Sequence, residues 1–126
     1  MKEIVNTGSA PAAVGPYSQA VRAGDFLFIS GQLGIDPEEG KLVGGGIENQ
    51  TKMALKNIEA ILDAAGSSMD ALVKTTVYLK SIRDFSRMND IYKGFFSADF
   101  PARAAFEVAN LPLGALVEIE AVAYLS

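Results

Sequence analysis

Apolar residues recur along this chain with two different periods, and the change of period marks its elements. Leu55, Ile58, Ile61, Leu62 and Ala65 stand three and four apart, the stripe of an amphipathic helix. That spacing predicts a first helix from about Ile47 to Ala65, with Gly66 supplying a left-handed cap at its C-terminus. Phe85, Met88, Tyr92 and Phe95 make a second stripe, in a helix predicted near Ile82 to Phe96. Ser81 with Asp84 three residues later resembles a capping box that opens it.

Elsewhere the period is two. Lys2 to Thr7 reads as a short strand, followed by a Gly/Ala/Pro loop from Gly8 to Pro16. Tyr17 to Arg22 and Phe26 to Ser30 read as a strand pair around Ala23-Gly24-Asp25. Asp36 to Gly40 and Gly44-Gly45-Gly46 are loop chemistry. Leu72 to Leu79 is β-branched, with Val73, Val77 and Leu79 on one side and Lys74, Thr76 and Tyr78 on the other. A strand holding Arg103 follows Pro101, and Leu113-Gly114 lies at the turn into Val117 to Leu125. The order β-β-β-α-β-α-β-β predicts one α+β domain over residues 1–126, its two helices packed on one face of a six-stranded sheet.

The last strand says something about the other face. Val117, Ile119, Ala121 and Ala123 point one way and suit a helix-covered core. Glu118, Glu120, Val122 and Tyr124 point the other way, a mixture that suits cover by another subunit better than bare solvent. An oligomer is the expectation.

Composition narrows the chemistry. The 126 residues include no histidine and no cysteine, so the commonest general base, the thiol nucleophile and the Cys/His zinc motifs are all missing. A net charge of -4 without any basic run argues against a nucleic-acid partner. No apolar run is long enough for a membrane helix, and no apolar segment follows Lys2 to make a signal peptide. The expectation is a soluble cytoplasmic protein, with no membrane partner and no metal or organic cofactor.

Arg103 is the candidate that stands out. It interrupts the apolar stretch Phe100-Pro101-Ala102-Arg103-Ala104-Ala105-Phe106, where a charge needs a partner. Its planar fork of donors matches a carboxylate bidentately. On an ideal strand Glu107 shares its face, so a surface ion pair is an alternative. Glu118 reads equally as a strand-surface glutamate, and Gly15-Pro16-Tyr17-Ser18 as a turn. Ser30-Gly31-Gln32 ends an apolar strand, where glycine permits either a bend or a close ligand. Asn89 is a poor helix former inside the second helix.

Taken together, these segments resemble the reactive intermediate deaminase A family (RidA, also called YjgF). Gly15-Pro16-Tyr17-Ser18-Gln19-Ala20, Ser30-Gly31-Gln32, Met88-Asn89-Asp90-Ile91-Tyr92, Phe100-Pro101-Ala102-Arg103 and Glu118-Ile119-Glu120-Ala121 follow its order across the whole chain. The resemblance implies a chorismate-mutase-like fold with a mixed sheet, and a homotrimer with clefts between subunits. It implies hydrolysis of 2-imino or enamine acids derived from 2-aminoacrylate or 2-aminocrotonate. Arg103 would clamp the substrate carboxylate, Glu118 would activate water, and Tyr17, Ser30, Gly31 and Asn89 would line the cleft. Many members place a cysteine where this chain has Ala105.

The implied chemistry suits the residues present. An iminium carbon is already electrophilic, so orientation, a placed water and charge complementarity suffice. The main rival is a non-catalytic trimeric binding protein for small carboxylates, which would use Arg103 in the same way. Glu118 separates the two, because a carboxylate beside a bound anion helps hydrolysis and hinders binding. A ribonuclease fits poorly with the charge and the missing histidine, and a chorismate mutase rests on fold analogy alone.

Overall fold

The structure, a computed structural model, describes all 126 residues. Eight strands and two α-helices follow one another as β1 (Lys2–Val5), β2 (Ala20–Ala23), β3 (Phe26–Leu33), β4 (Ile35–Asp36), β5 (Lys41–Leu42), α1 (Gly46–Ala64), β6 (Leu72–Leu79), α2 (Phe85–Lys93), β7 (Ala102–Glu107) and β8 (Val117–Tyr124). Six of the strands form one sheet in the order β1-β2-β3-β8-β6-β7, while β4 and β5 make a separate hairpin. Every pair in the large sheet is antiparallel except β6 with β7, which α2 connects as a parallel crossover. This is the expected α+β fold with a mixed six-stranded sheet. No helix is long and apolar enough to cross a membrane.

The α1 stripe behaves as its period requires. Leu55, Ile58, Ile61 and Leu62 are wholly buried against Leu27, Ile29, Val117, Ile119 and Ala121 in a single apolar cluster. The predicted cap at Gly66 is also present. Its φ is +76°, its N–H donates to the Asp63 carbonyl at 2.9 Å, and the Ser67 N–H donates to the Leu62 carbonyl at 2.9 Å. These two bonds satisfy carbonyls that a bare helix end would leave open.

Several expectations need correction. Tyr17 to Gln19 does not join β2, which begins at Ala20: the Tyr17 N–H turns back to the Gly15 carbonyl at 2.8 Å. The stretch after Ser30 stays in strand to Leu33, and the expected loop at Asp36 to Gly40 is the turn of the β4–β5 hairpin. Val73 does not share a side with Val77. Leu72 pairs with Ala123 and Lys74 with Val122, so Val73 is the extra residue of a β-bulge and points outward. The second helix opens with a 3₁₀ turn at Ile82–Asp84 and its α part ends at Lys93. Beyond it the N–H groups of Gly94, Phe95 and Phe96 each bond three residues back, a tighter winding. The Ser81 hydroxyl accepts from the Arg83 N–H, but Asp84 pairs with Arg87 instead of closing a capping box.

The face of the sheet away from the helices is uncovered in the single chain. Ile4, Val21, Phe28 and Val122 lie across it in register, and the rings of Phe26 and Tyr124 meet at 5.5 Å. Phe26, Phe28, Val73, Phe106 and Tyr124 are all exposed there. Such an apolar surface is larger than isolated exposed residues need explain.

The Gly66 cap gives a stability prediction. Gly66→Ala forces a Cβ into the left-handed region and should cost about 1 kcal/mol in urea unfolding. Gly8→Ala, where the added atom would meet nothing within 4 Å, should leave the midpoint unchanged.

Candidate functional site

Arg103 lies in β7, which pairs only with β6 and so forms one edge of the sheet. Its register partner is Thr75, a wholly buried residue of the helix-covered face, so the Arg103 side chain also projects to that face. There α2 receives it. Phe85, Asn89 and Tyr92 stand four and three residues apart on one side of that helix. Arg103 Nη1 donates to Asn89 Oδ1 at 2.7 Å. Its guanidinium carbon lies 4.8 Å from the centre of the Tyr92 ring and 5.4 Å from that of Phe85. The charge is thus held by one hydrogen bond and two ring faces, with no carboxylate paired to it. The Arg103–Glu107 ion pair considered from the sequence does not form, because Glu107 instead accepts from the Ile82 N–H at 2.9 Å.

Glu118 occupies the opposite face. Its register partners are Tyr78 in β6 and Leu33 in β3. Thr75 and Tyr78 are an odd number of residues apart in an unbroken stretch of β6, so Arg103 and Glu118 project from opposite sides of the sheet. Between the pairs Ile29–Ala121 and Gln32–Ile119, β3 fits Ser30 and Gly31 against the single residue Glu120, a second bulge. The Glu118 side chain lies directly over Gly31. A Cβ on Gly31 would come within 2.8 Å of the Glu118 carboxyl carbon. Burial raises the Glu118 pKa above the ordinary carboxylate value, and the nearby Glu120 charge raises it further. Burial, with the Glu120 carboxylate beside it, also holds the Tyr78 phenol protonated beyond its usual range.

The remaining sequence candidates join this second group. The Ser30 hydroxyl donates to the Ser18 carbonyl at 2.6 Å, which ties the loop carrying Tyr17 to the bulge. Gln19, only 2% exposed, anchors the rest of that loop. Its amide nitrogen reaches the carbonyls of Thr7, Ala10 and Pro11 while its oxygen accepts from the Thr7 N–H at 2.7 Å. Tyr17 itself is exposed. One chain therefore carries two clusters: Arg103 with Asn89, and Glu118 with Gly31, Ser30 and the Tyr17 loop. The surface hollows beside Tyr17 and beside Tyr124 do not reach Arg103 or Glu118. No three acidic side chains converge as a metal cage would require.

Sequence reading missed the aromatic cradle of Arg103. The signal was present, since the stripe that buries Met88 also carries Phe85, Asn89 and Tyr92 on one helix face. It also missed Tyr78 as the neighbour of Glu118, which depends on strand register and has no local signature.

Comparison with known proteins bears on these clusters. The sequence model of the family described as endoribonuclease L-PSP matches residues 7–125. A RutC family protein of Pyrococcus horikoshii is 53% identical over 98% of this chain and 98% of its own length. The bovine protein named 2-iminobutanoate/2-iminopropanoate deaminase is 54% identical over 98% of this chain and 90% of its own. Among solved structures, a Rid-family protein of Yersinia pestis superposes with a TM-score of 0.97 at 48% identity, covering 99% of this chain and 100% of that one. Escherichia coli TdcF with bound serine gives 0.94 at 38% identity, covering 98% and 99% respectively.

The raised Glu118 pKa has a stability consequence with a definite sign. The folded state holds this proton more tightly than the unfolded chain, so this group's contribution to stability is greatest at low pH. It is lost as pH rises from the ordinary value of about 4.5 through the raised one. Glu118→Gln should therefore raise the melting temperature at pH 7 and leave it unchanged near pH 4. A melting temperature lowered by this change at pH 7 would contradict the burial cost.

Proposed function

Because this chain belongs to the endoribonuclease L-PSP family, the family of the Rid proteins, we propose that it is an imine/enamine deaminase. It hydrolyses reactive 2-imino acids, and the enamines that tautomerise to them, to 2-oxo acids and ammonia. The reaction follows the mammalian relatives, named 2-iminobutanoate/2-iminopropanoate deaminases and 50–54% identical to it. What carries the reading for an enzyme rather than a binding module is Glu118. A half-buried carboxylate with raised proton affinity serves water activation and would only repel a bound anion.

Arg103 binds the substrate carboxylate through charge-assisted hydrogen bonds worth roughly 1.5–3 kcal/mol each. Asn89 occupies one edge of the guanidinium and leaves other donors free for the substrate. Glu118 takes a proton from water as the oxygen adds to C2 of the iminium. The resulting carbinolamine then breaks its C–N bond, and the proton returned by Glu118 leaves with nitrogen as ammonia. Ser30, Gly31 and Tyr17 shape the wall on the Glu118 side, where the absence of a side chain on Gly31 admits the carboxylate.

Arg103 and Glu118 on opposite faces of one sheet cannot meet around a single small substrate. We therefore assign the site to clefts between subunits of a homotrimer, with Arg103 from one chain and Glu118 from the next. The uncovered apolar face supports this assembly, since association would cover Phe26, Phe28 and Tyr124. The cytoplasm is the compartment that this reading assigns. A ribonuclease, as the family's description suggests, is less favoured: net charge -4 and no histidine offer neither phosphate affinity nor the usual acid–base pair.

The test generates 2-iminobutanoate in situ and follows ammonia release. Arg103→Ala should lose both turnover and affinity for the product analogue 2-oxobutanoate, and Arg103→Lys should recover little of either. Glu118→Gln should lower kcat by ~10²–10⁴-fold while 2-oxobutanoate still binds. Full turnover by Glu118→Gln would make that glutamate structural. Full binding and turnover by Arg103→Ala would remove the site.

A further inference from the structure

Beneath Arg103 lies a pair of hydroxyls that the fold alone does not explain. Tyr92 is 3% exposed and Thr75 wholly buried, and their oxygens are 2.7 Å apart. Phenylalanine and valine would fill the same space without burying two hydroxyls, whose mutual hydrogen bond contributes little net stability. The pair does something else: it fixes the Tyr92 ring in one orientation, and the Arg103 guanidinium lies against that ring at 4.8 Å. Phe85 supplies a second ring at 5.4 Å.

An arginine side chain has four rotatable bonds, and a bidentate clamp works only when its plane is already set. Asn89 holds one nitrogen, but a single hydrogen bond leaves the plane free to swing about it. A ring face removes that freedom. We propose that Tyr92, locked by Thr75, is a positioning residue that sets the plane of the Arg103 guanidinium for the substrate carboxylate. The inference rests on the reading of Arg103 as the carboxylate clamp. Tyr92 acts through Arg103 and touches no reacting atom. Because Glu118 stands on the other sheet face, losing the ring should weaken binding more than it slows chemistry.

The experiment compares Tyr92→Leu, Tyr92→Phe and Thr75→Val by calorimetry with 2-oxobutanoate, by steady-state kinetics and by thermal melting. Tyr92→Leu should weaken 2-oxobutanoate and raise KM by about 10-fold, with a smaller change in kcat. Tyr92→Phe keeps the ring but frees it from Thr75 and should weaken 2-oxobutanoate binding about threefold, as should Thr75→Val. Parental affinity in both would overturn the lock. Should Tyr92→Leu fail to fold, Phe85→Leu at a half-buried position should still weaken binding about threefold. Unchanged affinity in Tyr92→Leu overturns the proposal, as does a loss in Tyr92→Phe equal to that in Tyr92→Leu and tracking the melting temperature. Binding that depends on Tyr92 in a protein that releases no ammonia upholds the clamp and defeats the deaminase reading. Intact turnover with binding indifferent to Tyr92 does the reverse. A parent protein that does not bind 2-oxobutanoate overturns the proposal whatever its turnover.

Discussion

Strand alternation is the constraint on which the rest depends. Side chains in a strand alternate between faces, and register transmits that alternation from β7 through β6 to β8. It sends Arg103 under the helices beside Thr75 and sends Glu118 to the open face beside Tyr78. No rotamer change brings the two groups around one small molecule. A reaction that needs both would have to draw them from different chains.

On the proposed reading, each cluster would let a small α+β domain do chemistry without histidine or cysteine. The guanidinium is carried by neutral partners, Asn89 and two rings, so its charge is left for a ligand. A structural ion pair would have consumed it. The carboxylate lies over a glycine, and its burial, with a second carboxylate nearby, makes it a stronger base than a solvated glutamate. The Glu118 arrangement costs stability in the free chain, because its charge is held against burial and a second carboxylate.

Much of this was legible in the sequence, for identifiable reasons. The α1 stripe and the Gly66 cap depend on local spacing and local φ, and the structure has both. The face preference of Glu118 followed from alternation within β8. The failures came where distant partners decide. Val73 turned outward because β8 imposes a bulge on β6, and Tyr17 left the strand because Gln19 fastens its loop to the residues before it. Arg103 was legible as a charge needing a partner. Its partner Asn89 was not, because that pairing joins an edge strand to the crossover helix preceding it. The opposition of Arg103 and Glu118 required the register of three strands together.

Subunit mixing tests this account most directly. Arg103→Ala and Glu118→Gln, each inactive alone, would be combined in equal amounts, unfolded together and refolded, and assayed for ammonia release from 2-iminobutanoate. If each cleft takes its arginine from one chain and its glutamate from the next, random assembly restores both groups in about one quarter of clefts. Activity should then recover to about a quarter of the parent value. No recovery from mixed assemblies that demonstrably contain both variants would contradict a site built between chains.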